Sequence, residues 1–161
     1  MIEVKNITKS FDGKTILHDV SAKFYTGKTN LIIGQSGSGK TVLMKSIIGL
    51  VRPEVGEILY DGRSFLDMKP AQVKALRKEI GMLFQGSALF DSETVLGNVL
   101  FPLMMFTSMS KGEQLDRARF CLERVNLQGA ENKYPSEISG GMQKRVAIAR
   151  AIALNPRYLF C

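Results

Sequence analysis

The chain contains no tryptophan, one histidine (His18), two cysteines and five prolines among its 161 residues. Two cysteines, Cys121 and Cys161, with no Cys-x-x-Cys spacing form neither a disulfide framework nor a metal site. They suit a reducing compartment. A lone histidine beside Asp19 in an early strand reads as structural. No apolar run approaches the ~18 residues that a membrane-spanning helix needs. The longest candidate, Val99 to Phe106, is short and interrupted by Pro102. Met1 is followed by Ile2-Glu3-Val4-Lys5, an alternating strand rather than the apolar stretch of a secretory signal. Any membrane role therefore runs through a partner.

What is present is ordinary for a globular domain: 45% apolar and 23% charged residues, with a formal net charge of +7. The length predicts one domain. The basic residues are dispersed along the chain, which predicts a solvated mixed surface. They form no stripe for nucleic acid, and no nucleic-acid partner is expected.

Alternation predicts strands at Ile2 to Ile7 and Ile16 to Phe24, joined through the Asp12-Gly13 turn signal as an antiparallel start. Thr29-Asn30-Leu31-Ile32-Ile33 is a short apolar run ending at glycine and reads as a buried strand. A glycine-rich loop follows. The apolar residues Val42, Leu43, Ile47 and Leu50 then recur at helical spacing, which predicts a helix over Lys40 to Leu50. Further expectations are a strand at Glu57 to Tyr60, a turn at Asp61-Gly62, a helix at Pro70 to Lys78 and a strand at Ile80 to Phe84. Helices are expected over 93–106 and 111–126. Ser139 is placed to cap a helix from about Gly141 to Ala153, which Asn155-Pro156 stops. Tyr158-Leu159-Phe160-Cys161 opens a buried strand, so the chain is expected to be part of a longer domain.

The glycine loop is Gly34-Gln35-Ser36-Gly37-Ser38-Gly39-Lys40-Thr41, a full match to the P-loop pattern G-x-x-x-x-G-K-[ST]. Its position between a strand and a helix is the context that gives the pattern meaning. Glycines let the backbone turn closely around phosphate with its N–H groups inward. The helix N-terminus adds a favourable partial charge. Lys40 is expected to reach the β- and γ-phosphates of ATP, and the Thr41 hydroxyl to ligate Mg²⁺.

A second motif, Ile138-Ser139-Gly140-Gly141-Met142-Gln143, precedes Lys144-Arg145-Val146-Ala147-Ile148-Ala149-Arg150-Ala151. It resembles the L-S-G-G-Q signature and following helix of ATP-binding cassette (ABC) ATPases. With the P-loop and the Gln85 loop in the same order, the resemblance extends over essentially the whole chain. It implies an α/β fold of the P-loop NTPase, ABC-cassette type, with an N-terminal antiparallel β subdomain and an inserted α-helical subdomain. The implied organisation is one incomplete ATPase domain: an ATP-binding core over 1–85, a helical subdomain with the signature over 86–144, and a return to the core over 145–161.

The resemblance also implies roles. Ser139, Gly140 and Gly141 contact the γ-phosphate held by the P-loop of a second copy, so that ATP is sandwiched head to tail. Gln85 ligates Mg²⁺ or positions water. Phe11 stacks on adenine. Val42 replaces a second hydroxyl residue, removing one side-chain contact to the α-phosphate, and Met142 replaces the usual signature glutamine. The Asp-Glu-Pro run that supplies the general base is expected after Tyr158 and is not among these residues. The 161 residues alone are accordingly expected not to hydrolyse ATP.

Val42, Met142, the stretch Phe84 to Ser92, and Asn98-Val99 with Phe101-Pro102-Leu103 resemble the Mla-type cassettes of phospholipid transport. This implies a permease partner, an MCE-type lipid-binding protein, and a peripheral position on the cytoplasmic face of the plasma membrane. Leu89, Phe90, Phe101, Leu103, Met104 and Met105 are candidates to line a groove for the permease. An importer motor for another cargo, a soluble ABC ATPase and a regulatory cassette are the alternatives.

Overall fold

A computed structural model describes residues 1–84 and 86–161. Contacts divide the chain into Met1–Lys74 and Ala75–Cys161. Helix α2 (Pro70–Lys78) contains the division.

The first unit is built on a four-stranded sheet in the order β2-β1-β3-β4, with every pairing antiparallel. Strands β1 (Ile2–Phe11) and β2 (Lys14–Phe24) meet at the Asp12-Gly13 turn, where Phe11 pairs with Lys14. Both turn residues have positive φ, 48° at Asp12 and 78° at Gly13. That backbone twist matches the twist of paired strands, which is why Asp-Gly is a strong hairpin signal. Asp61-Gly62 repeats the device between β3 (Val55–Tyr60) and β4 (Arg63–Ser64).

Apolar residues at alternate positions of β1 (Ile2 and Val4) and of β3 (Ile58 and Tyr60) are buried. Ile7, Leu17, Leu43, Ile47 and Ile48 complete this core. The Tyr60 hydroxyl donates to the carbonyl of Ile47 at 2.9 Å, which ties the sheet to the end of helix α1 (Lys40–Ile47). Each such fully buried aliphatic side chain contributes about 1.5–3 kcal/mol.

One expectation fails here. Residues 29–33 do not form a strand, and Leu31 and Ile33 are 77% and 83% exposed. An apolar run becomes a buried strand only where neighbouring strands complete its hydrogen bonds and cover its faces. Among the described residues none pairs with it in a sheet.

The second unit is a three-helix cluster with a parallel two-stranded sheet of β5 (Ile80–Met82) and β6 (Tyr158–Phe160), in register Ile80 to Tyr158. Thr94 caps α3 (Val95–Phe106), its hydroxyl accepting from Gly97 N at 3.0 Å. Ser110 caps α4 (Lys111–Arg124) in a capping box with Glu113. Ser139 caps α5 (Gly140–Ile152). Val95, Val99 and Leu103 of α3 pack with Ala118, Cys121 and Leu122 of α4 and with Val146 and Ala149 of α5. Leu103 is thus a core residue, which corrects its assignment to a groove. Leu89 is partly buried beside this core, while Phe90, Phe101, Met104 and Met105 stay exposed.

Candidate nucleotide-binding site

The P-loop residues sit where β2 meets the start of α1. Gly39 is the N-cap of α1, buried, with φ +89°. A Cβ at this position would lie 2.9 Å from Leu17 Cδ2 and 3.1 Å from the Ile16 carbonyl. Only glycine accepts both the left-handed backbone and the close approach of β2. The loop closes through Ser38 N donating to Gln35 O at 3.2 Å, and the helix begins with Leu43 N donating to Gly39 O at 2.8 Å.

Lys40 folds back over this turn. Its Nζ donates to Gly34 O at 2.8 Å and to Gln35 O at 2.6 Å. The ammonium is thereby held against the loop, on a flexible stem with a further N–H to offer. Gln35, Ser36, Gly37 and Ser38 are exposed.

A cleft of about 340 Å³ opens beside the loop, lined by Phe11, Ile16, Gly37, Gly39, Lys40, Thr41 and Val42. It joins Phe11, at the end of β1, to residues of the loop and the first turn of α1. The Phe11 ring is 43% exposed, and Lys9 Nζ stands 5.1 Å from its centroid. Lys9 is itself held by Glu54 at 2.9 Å. The Lys9 hydrogen bond, reinforced by the Ser10 N–H, holds the Glu54 carboxyl below the usual carboxylate range. Ile16 is a cleft residue that sequence reasoning did not single out, because no motif marks it.

Thr41 is exposed at the cleft. Among the described residues no group of three or more His, Cys, Asp or Glu side chains is placed to hold a metal ion. One hydroxyl beside the glycine loop fits Mg²⁺, which keeps several waters and binds through few protein ligands together with substrate phosphates. Gln85, the other candidate ligand, lies outside the described residues.

In the second unit, Ser139 Oγ accepts from Met142 N at 3.3 Å. Gly140 and Gly141 are exposed at the first turn of α5. A Cβ at Gly140 would meet nothing within 4 Å, so the backbone at this helix start faces open space. Gln143 Nε2 donates to Pro135 O at 2.9 Å and fixes the preceding turn. His18 is exposed on β2 and belongs to neither group of residues.

The ABC transporter family profile matches residues 17–161. The chain belongs to the ABC transporter family. It is 42% identical to a "probable ribonucleotide transport ATP-binding protein mkl" of Mycobacterium leprae, over 99% of this chain and 46% of that protein. It is also 42% identical to the "L-cystine transport system ATP-binding protein TcyN" of Escherichia coli, over 98% of this chain and 65% of the relative. A third relative at 42% is the "intermembrane phospholipid transport system ATP-binding protein MlaF" of Haemophilus influenzae, over 97% of this chain and 59% of that protein. The chain spans about half to two thirds of the length of these relatives.

Among solved structures, the dimeric ATP-binding cassette MJ0796 bound to ADP and Pi superposes with a TM-score of 0.88 at 35% identity. The match covers 99% of this chain and 72% of that one. The fold is the ABC ATPase cassette, with its antiparallel N-terminal sheet and its helical part.

Proposed function

We propose that this chain is the nucleotide-binding part of an ABC transporter motor, which binds Mg-ATP and, as the full-length protein, hydrolyses it to drive transport. The observation that carries this reading is the cleft that joins an exposed aromatic ring, Phe11, to the lysine-bearing glycine turn. A purine base on Phe11 and phosphates on the turn would fill its two ends. Lys40, the backbone of Gly34 to Gly39, and Thr41 would hold the phosphates and Mg²⁺. The bound ion would neutralise phosphate charge during transfer. Ser139, Gly140 and Gly141 would meet the nucleotide of a second copy, closing two ATP molecules between two cassettes. Nucleotide that binds the closed form better than the open one shifts the population toward closure.

The partner is a transmembrane permease at the face that carries Phe90, Phe101, Met104 and Met105. Four exposed large apolar residues on one helix and its entry loop support this, and methionine suits adaptable contacts. Phospholipid is the cargo, with an MCE-type protein in the assembly. Val42, Met142 and the 84–92 stretch support that cargo, as does the phospholipid relative. A cystine-transport relative at the same identity makes amino-acid import the competing cargo.

Purification of the full-length protein from native membranes tests the reading. A polytopic permease with an MCE protein and phospholipid is the expected result. A permease with an amino-acid-binding protein overturns the cargo. A protein that emerges from native membranes with no permease overturns the transporter.

A further inference from the structure

Helix α5 begins at Ser139-Gly140-Gly141 and carries Arg150 near its other end, about 15 Å along the axis at 1.5 Å per residue. The Arg150 guanidinium donates from Nη2 to the Ser87 carbonyl at 3.0 Å. Its Cζ lies 5.6 Å from the centroid of the Phe90 ring. One side chain thus grips two residues of the loop 86–90, Ser87 and Phe90. A planar guanidinium suits this grip, since it donates in fixed directions and also interacts with aromatic rings.

The loop it grips is strained. Gly86, Ser87 and Ala88 are left-handed in succession, with φ of 84°, 67° and 45°. Two of these residues carry a Cβ, and such a backbone persists only where its surroundings over-determine it. From the other side Asn98 of α3 holds the loop, accepting from Phe90 N at 2.8 Å and donating to Phe90 O at 3.1 Å. The Phe90 ring leans on Phe101 at 4.7 Å between centroids. In sequence, Ser87 stands two residues after Gln85.

We propose that Arg150 is a positioning residue that carries the position of helix α5 to the loop 86–90. One end of a rigid helix meets nucleotide, and the other end sets the loop that follows Gln85 and presents Phe90 on the apolar face. A shift of α5 on nucleotide binding moves the Ser87 carbonyl and the Phe90 ring with it. This rests on the motor reading for what α5 meets at its N-terminus. The grip on the loop itself is geometry internal to the second unit. The guanidinium is partly buried, which lowers its pKa from the ordinary arginine value.

Hydrogen–deuterium exchange on the full-length protein, with and without a non-hydrolysable ATP analogue and Mg²⁺, is the test. In the wild type, exchange at Ala88 and Phe90 changes when the analogue binds. In Arg150→Lys those amides exchange about tenfold faster, the effect of losing one charge-assisted hydrogen bond on local opening. They also lose their response to the analogue, while its dissociation constant stays within about twofold of wild type, since no nucleotide contact changes. Phe90→Leu keeps the apolar volume and removes the ring beneath the guanidinium. It reduces the same response and serves if Arg150→Lys does not fold. A full nucleotide response in the folded variant overturns the proposal and leaves the motor reading intact. A wild-type protein that binds no analogue overturns both. A wild type that binds it with no change at the loop overturns the coupling alone.

Discussion

Arg117 and Arg145 cap each other's helices. Arg117, on α4, donates from Nε and Nη2 to the carbonyls of Ala153 and Ile152 at the end of α5, both at 2.9 Å. Arg145, on α5, donates from Nη1 to Val125 O at 3.2 Å and Asn126 O at 2.9 Å at the end of α4. The last carbonyls of a helix have no partner inside it, and a cation there also complements the helix dipole. Each arginine therefore fastens its own helix to the end of the other. Replacing either by alanine is expected to cost about 1.5–3 kcal/mol, the range for hydrogen bonds to a charged group. Urea unfolding of the full-length protein measures this. Because the two sites share one helix pair, the double variant is expected to lose less than the sum of the singles.

Asn98 is fully buried and uses its whole amide on the entry loop of α3. Besides its two bonds to Phe90, Nδ2 donates to Glu93 O at 3.2 Å and Thr94 O at 3.0 Å. Asn98→Ala leaves the Phe90 N–H and carbonyl without this partner and is expected to cost about 2–3 kcal/mol. Asn98→Asp is the sharper test. It keeps the acceptor for Phe90 N but turns a second oxygen toward three carbonyls, so it destabilises more than alanine near neutral pH. Thermal denaturation of the two variants checks the order.

The capping box of α4 makes stability depend on acid. The Ser110 side chain and backbone N–H hold the Glu113 carboxyl below its ordinary value. Its carboxylate accepts from Ser110 N at 2.7 Å, and Ser110 Oγ accepts from Glu113 N at 3.3 Å. A carboxyl depressed in the folded state contributes stability above the unfolded pKa of about 4.3, and that contribution is lost as pH falls through the lower folded value. Glu113→Gln is expected to be less stable than wild type at neutral pH. The difference should narrow as pH falls below about 4. Denaturation midpoints across that range, wild type against variant, measure it.

Ser139 tests the shared interface. Ser139→Arg places a long side chain where the α5 N-terminus now faces open space. The expected result is normal nucleotide binding by the monomer and loss of ATP-driven dimerisation, read by sedimentation. Ser139→Ala is the milder change. It removes the bond to Met142 N, at a cost of about 1 kcal/mol of helix stability, together with the hydroxyl offered to the second copy's nucleotide, and is expected to weaken dimerisation less than Ser139→Arg does.

The features legible in the sequence are those fixed by local chemistry. Asp12-Gly13 and Asp61-Gly62 announce hairpins because few other pairs accept two positive φ values. Ser139 announces a helix because its hydroxyl satisfies an end N–H. Gly39 stands in the glycine pattern because β2 leaves no room for a side chain. The features that escaped depend on distant partners. Residues 29–33 carry the composition of a strand without its pairing. Leu103 and Met104 are adjacent apolar residues on α3, yet one is fully buried and the other 64% exposed. The grip of Arg150 on Ser87 joins residues 63 apart in sequence, and no spacing rule reaches that far. Phe11, Gly37, Gly39, Lys40, Thr41 and Val42 line the cleft together with Ile16, which no motif marks.

The Lys40 turn and the Phe11 ring are the two ends of the proposed ATP cleft. Titration calorimetry of Mg-ATP into the full-length protein, its Lys40→Ala variant and its Phe11→Ala variant tests this most directly. Removing Lys40 deletes the ammonium held over the turn and is expected to weaken binding by about tenfold or more, the loss of a charge-assisted contact to phosphate. Removing Phe11 deletes aromatic contact with the base and is expected to weaken binding less, by about 0.5–1.5 kcal/mol. Wild-type affinity in both variants would contradict the assignment of this cleft as the ATP site.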